Sequence, residues 1–253
     1  SESVTRVSGD KALLTVGQSG LGSTSALLLE SRASFINEGA NSAGYLNASG
    51  SNITLNETLT LTGGDASTIT NGSITGNGAL HIQTNQLTVS GEVNDVGFTG
   101  NVNLISGADL TLDNVDGLGK GNIDLDWGSS TVNVKGTSAT TLSNTYTGTG
   151  NISVDLSGSG NVFDFSEKQG SGAFTGRLTL ENAAYHLYDD DKGELAKATL
   201  NVSGGSNVVV NTAGYIADHT VGTLELAGGT LDFGEMTEGS AVGQIHAGDL
   251  SVL

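Results

Sequence analysis

The sequence predicts an all-β protein, a right-handed parallel β-helix, and three observations carry that expectation. First, the stretch 100–136 states one pattern twice. Gly100-Asn101-Val102-Asn103-Leu104 is answered by Gly121-Asn122-Ile123-Asp124-Leu125, and Leu110-Thr111-Leu112 by Val132-Asn133-Val134. Apolar residues at i and i+2 point to one face of a strand, and a repeat of about 20 to 50 residues marks a solenoid. Second, Gly/Ser turn signals recur every few residues, which leaves no room for long helices. Third, the chain holds 39 glycines and no proline. Proline cannot donate to a strand ladder, so its absence suits a chain that is nearly all ladder.

In chain order, residues 1–26 carry the strand Ala12-Leu13-Leu14-Thr15-Val16, expected to start or cap the stack. A terminal coil needs such a cap because it presents an open edge. The leading apolar residues of successive coils are then Leu27, Ile53, Leu80, Val102, Ile123, Ile152, Leu178, Leu200, Leu224 and Leu250. Their gaps of 26, 27, 22, 21, 29, 26, 22, 24 and 26 residues describe about nine coils in a single β-helix over 1–253. A glycine stands two positions before the lead at Gly78, Gly100, Gly121, Gly150, Gly176, Gly222 and Gly248. The expected reason is a sharp corner with positive φ. A second triplet recurs at Leu87/Val89, Leu110/Leu112, Val132/Val134, Tyr185/Leu187, Val208/Val210 and Leu231/Phe233. Three stretches interrupt the pattern. Thr137–Thr149, with Tyr146 at its tip, and 211–222 read as protruding loops. In 188–199, Asp189 or Asp190 can cap one helical turn through Glu194–Lys197. The chain ends on Leu250-Ser251-Val252-Leu253 in mid-pattern, as expected of a piece of a longer protein.

Composition excludes several functions. The net charge is −18, and the nine Lys and Arg are scattered, so no basic stripe exists for nucleic acid. Without cysteine there is no catalytic thiol, disulfide framework or Cys-ligated metal. No apolar run is long enough to span a membrane. Ser1-Glu2-Ser3 has no signal-peptide character, so any export signal is expected to have been removed or to lie outside this sequence.

The candidate binding surface is the outward ladder flanking the leads: Asn101 and Asn103, Asn122 and Asp124, Asn151 and Ser153, with Thr199/Asn201 and Thr223/Glu225 further on. Coils stack about 4.8 Å apart, so these amides, hydroxyls and carboxylates are expected to form polar rows along one face. Such rows can hydrogen-bond a second copy or a glycan; the plainer alternative is a solvated sheet face. Ala79/His81 and Arg177/Thr179 break the rows, and a repeated Thr-x-Thr face is lacking, which argues against ice binding. Asp189-Asp190-Asp191 offers hard oxygen ligands for Ca²⁺ or an acid/base pair, but three consecutive acids do not converge, and a solvated acidic loop is the simpler reading. Asp124 and Asp126 share a strand face. His81, His186, His219 and His246 have no ligand spacing, and no GxSxG motif marks a nucleophile, so no catalytic residue, metal ligand or cofactor is expected. The glycines at 158–160 and 170–172 read as corner turns. Trp127, the single tryptophan, is a candidate for stacking on a sugar or for packing at a corner.

Gly172–Leu187, GAFTGRLTLENAAYHL, and Thr220–Gly234, TVGTLELAGGTLDFG, resemble the repeats of passenger domains of Gram-negative type V autotransporters. The likeness extends over roughly 78–253 and is greatest to the adhesin branch of AIDA and antigen-43 type proteins. It implies a cell-surface β-helix exported through the outer membrane by a C-terminal barrel that this sequence lacks. The GDSGS-type motif of the serine-protease branch is absent. The function implied is adhesion, self-association or biofilm formation without catalysis, with another copy or a host protein or glycan as partner and no nucleic acid. A polysaccharide-acting β-helix enzyme and a passive stalk are the alternatives.

Overall fold

A computed structural model describes residues 3–22, 24–83, 86–92, 94–113, 115–126, 129–158, 160–165, 174–187, 195–210, 218–232 and 244–252. The chain is a parallel β-solenoid. Among the described residues the one helix is a short 3₁₀ turn, Val115–Leu118, and no helix is long and apolar enough to cross a membrane. Two compact units are formed, one by 1–132 with 143–146, the other by 133–142 with 147–253.

Among the described residues the first unit has three faces. Face 1 stacks Val4–Ser8, Ala26–Glu30, Tyr45–Ser49, Ser67–Thr70, Gln86–Ser90 and Asp109–Leu112. Face 2 stacks Leu13–Val16, Ser34–Asn37, Asn52–Leu55, Ser73–Gly76 and Asn94–Phe98. Face 3 stacks Asn41–Ala43, Leu59–Leu61, Leu80–Gln83, Val102–Ile105 and Asn122–Leu125, with Thr145–Gly148 beginning in this unit. Strict alternation builds these faces: inward Leu27, Leu29, Leu87 and Val89 are fully buried, while the residues between them stay partly open. One turn is short. Val4 pairs with Ala26, an offset of 22 residues, and Ala26 with Tyr45, an offset of 19.

Among the described residues the second unit has two faces. Face 4 holds Asn151–Asp155, Arg177–Glu181, Thr199–Ser203, Asp218–Ala227 and Gln244–Val252. Face 5 holds Thr140–Leu142, Val162–Phe165, Ala184–Leu187, Asn207–Val210 and Thr230–Asp232. Turns here are longer: Asn151 pairs with Arg177, 26 residues on. An aromatic cluster packs in its core, with Phe163 edge-on to Phe165 at 4.8 Å and Tyr185 6.2 Å from Phe165.

Four expectations change. The leads do not share one column: Leu27 lies on face 1, Ile53 on face 2, and Leu80, Val102 and Ile123 on face 3. All triplets look alike in sequence because every face obeys the same alternation. The corner glycines are needed for a different reason: none of the seven, all described, has positive φ. Instead the backbone passes too close for a side chain. A Cβ on Gly100 would lie 1.8 Å from the Gly78 carbonyl oxygen, and one on Gly121 1.8 Å from that of Gly100. Thr137–Thr149 is not a surface loop. It contains the strands Thr140–Leu142 and Thr145–Gly148, and Tyr146 is fully buried because its Thr-Tyr-Thr alternation turns it inward. Of the protrusion expected at 211–222, residues 218–222 belong to the strand Asp218–Ala227, and 211–217 lie outside the described residues. So do Asp189–Asp191, Glu194 and Trp127; Leu195–Lys197 form a turn closed by Ala198 N–H donating to the Leu195 carbonyl at 3.0 Å.

Candidate functional site

The outward positions of each face form columns in register, as strand alternation requires. The structure separates the six candidate residues into two groups. Asn103 and Asp124 pair in one column of face 3, which continues back through His81 to Thr60. Asn122 stands two residues before Asp124 on the same strand, and Asn101 just precedes the strand of Asn103. Asn151 and Ser153 belong to face 4. Asn151 lies in the column of Arg177, Thr199 and Thr223, and Ser153 in that of Thr179, Asn201 and Glu225. Asn101 is exposed and the other five are half-buried. Sequence spacing merged two faces into one because both carry the same polar-apolar alternation.

These columns are cross-linked between rungs. On face 3, Thr145 Oγ1 donates to Asn122 Oδ1 at 3.2 Å. On face 4, Asn201 Nδ2 donates to Glu225 Oε2 at 3.0 Å, and the Arg177 guanidinium donates to the same carboxylate oxygen. Face 2 carries a hydroxyl pair, Thr54 and Thr75, 3.1 Å apart, and Ser73 Oγ donates to Asn52 Oδ1 at 2.8 Å. Each bond fixes a rotamer that would otherwise be mobile, so the faces present ordered donors and acceptors at the rung repeat. His81 is half-buried in its column, and burial lowers its pKa from 6.5.

Face 1 holds what sequence reasoning missed. Asn47, Thr68, Thr88 and Thr111 form one outward column, with Thr70 and Ser90 in the next. Thr68 Oγ1 donates to Asn47 Oδ1 at 3.2 Å, and the Thr70 and Ser90 hydroxyls lie 3.1 Å apart. The column escapes a reading centred on the leads, because Thr88 and Thr111 lie in the second triplets Leu87/Val89 and Leu110/Leu112. A concavity of about 430 Å³ opens on this face over Leu28, Tyr45 and Asn47. Tyr45-Leu46-Asn47-Ala48 carried the signal, since alternation alone turns Tyr45 outward.

Corners use asparagine as a staple. Buried Asn41 accepts from Leu21 N–H at 3.0 Å and donates through Nδ2 to the carbonyls of Gly17 and Gly39 and to Asn37 Oδ1. Asn144 likewise donates to the carbonyls of Leu118 and Gly121. These amides are committed to backbone and serve the fold. Among the described residues no group of three or more His, Asp or Glu is placed to hold a metal ion. The side chains of His186 and His219 lie outside the description, and His246 is exposed.

No family model matches the chain, and no solved structure matches it. It is similar to "Uncharacterized protein YuaQ" of Escherichia coli (strain K12), 24% identical over 166 residues. The alignment covers 66% of this chain and 11% of that protein.

Proposed function

We propose that this chain is part of a bacterial surface adhesin that works by contact, through the polar faces of its solenoid, in adhesion or self-association. The carrying observation is the set of outward amide, hydroxyl and carboxylate columns, held in register and cross-linked from rung to rung. A preorganised polar array loses little side-chain entropy on meeting a complementary surface. The likeness of Gly172–Leu187 and Thr220–Gly234 to autotransporter passenger repeats supports the same reading, and with it export through the outer membrane to the cell surface. The similarity to a much longer Escherichia coli protein fits a chain that is one stretch of a larger molecule. The net charge of −18 sets the terms of self-association. Copies repel at low salt and approach when the charge is screened beyond about 8 Å, the Debye length at physiological ionic strength. Beads coated with the chain and mixed in physiological salt test the reading: clumping that beads coated with an unrelated acidic protein do not show supports it. Dispersed beads that also fail to bind epithelial cells and matrix proteins overturn it.

A further inference from the structure

The concavity on face 1 has the chemistry of a sugar site. Its base is a patch of three adjacent rungs. Asn47 lies at the centre, Leu28 beside it on one rung and Thr68 beside it on the other. Neighbouring rungs are about 4.8 Å apart, and Tyr45, two residues before Asn47, lies about 6.7 Å away along the strand. One side of the patch is therefore apolar, made by Leu28 and the Tyr45 ring, and the other polar, made by Asn47, Thr68, Thr70 and Glu30. Its volume of about 430 Å³ falls within the range of ligand pockets, about 300 to 1,000 Å³.

Tyr45 stands out among the aromatic side chains. Every other described aromatic (Phe35, Phe98, Tyr146, Phe163, Phe165, Phe174 and Tyr185) is buried in the core. Tyr45 is half-buried on the outside, and its hydroxyl has no hydrogen-bond partner among the described residues. Thr68 Oγ1 occupies Asn47 Oδ1, which orients the amide and leaves Nδ2 as a fixed donor. A flat apolar ring next to oriented hydroxyl and amide groups complements one kind of molecule well: a pyranose, with its apolar C–H face and its rim of hydroxyls. The Glu30 carboxylate in the wall and the −18 net charge repel anionic sugars. Arg6, 3.9 Å from Glu30, is exposed and offsets little of this.

The geometry points to a binding site for a neutral saccharide at Tyr45 and Asn47, which rests on the adhesive reading above and gives it a ligand class. The test is saturation-transfer NMR on the full chain with cellobiose, maltose and N-acetyllactosamine as neutral probes and 3′-sialyllactose as the anionic one. Transfer to at least one neutral sugar is expected. Tyr45→Ala should weaken it tenfold or more and Asn47→Ala severalfold, with the circular dichroism melt unchanged. If Tyr45→Ala fails to fold, Asn47→Ala decides. No transfer to any neutral probe, preference for the sialylated one, or binding unchanged in the variants overturns the site. Coated beads that still clump, alongside a failed sugar test, would leave the adhesive reading standing; beads that fail as well would remove both.

Discussion

Gly100→Ala tests whether close rung stacking is what the corner glycines provide. The new Cβ would lie 1.8 Å from the Gly78 carbonyl oxygen and 2.9 Å from the Phe98 ring. Real Cβ contacts essentially never fall under 3.0 Å, so the two rungs must part by more than an ångström. The backbone bonds beside the corner cannot survive that movement intact: Thr99 N–H to the Gly76 carbonyl is 2.9 Å, and Leu80 N–H to the Asn101 carbonyl is 2.8 Å. Two weakened bonds cost about 0.5–1.5 kcal/mol each. Overpacking strain adds about 1–3 kcal/mol. The expected loss is about 2–6 kcal/mol, a large part of a typical stability of about 5–15 kcal/mol. Two further variants separate space from backbone angle. Gly64 has open space and no positive φ, so Gly64→Ala should be neutral or stabilising by up to about 1 kcal/mol. Gly22 has open space but φ of +58°, so Gly22→Ala should cost about 1–2 kcal/mol from strain alone. Urea unfolding followed by circular dichroism measures all three. Gly100→Ala as stable as Gly64→Ala would refute the stacking argument.

Other expectations follow from burial and bonding. Ile123→Asp places a charge at a fully buried position on face 3 and should cost several kcal/mol, melting at least the adjacent turns; an unchanged melt would mean the inward register is wrong. Asn41→Leu orphans the Leu21 N–H, the Gly39 carbonyl and Asn37 Oδ1, so a loss of at least about 2 kcal/mol is expected in urea unfolding, against little change for exposed Asn101→Leu. His81 has its pKa lowered by burial, so the unfolded chain binds its proton first. Its effect is absent above about pH 6.5 and is a loss of stability growing as pH falls from there toward the lowered folded value. His81→Gln should therefore show a shallower drop in Tm between pH 7 and 5 than the parent; equal slopes would assign the drop to other groups.

Alternation of apolar residues made the strands legible, and their repeat at about 20 to 50 residues made the solenoid legible. It could not assign strands to faces. Leu27 and Ile53 stand in less regular stretches than Leu80, and each of the three faces the core from a different side. Face assignment depends on which corners bend, and those corners are set by tertiary contacts: Asn37 and Asn41 binding backbone from neighbouring turns, and glycines packed under a carbonyl. The same ambiguity scattered the candidate site. Asn103 and Asp124 do stack, as spacing suggests, yet Asn151 and Ser153 join a different column. Tyr146 and Tyr45 show what alternation does settle: between Thr145 and Thr147 the ring turns into the core, and beside inward Leu46 it turns out.

Sedimentation velocity of the purified chain over a wide concentration range, at low and high salt, addresses the adhesive reading most directly. Self-association through the polar faces predicts dimers or larger species that grow with concentration and strengthen as salt screens the −18 charge. A strict monomer at every concentration and salt would contradict it, and adhesion would then have to rest on a foreign ligand.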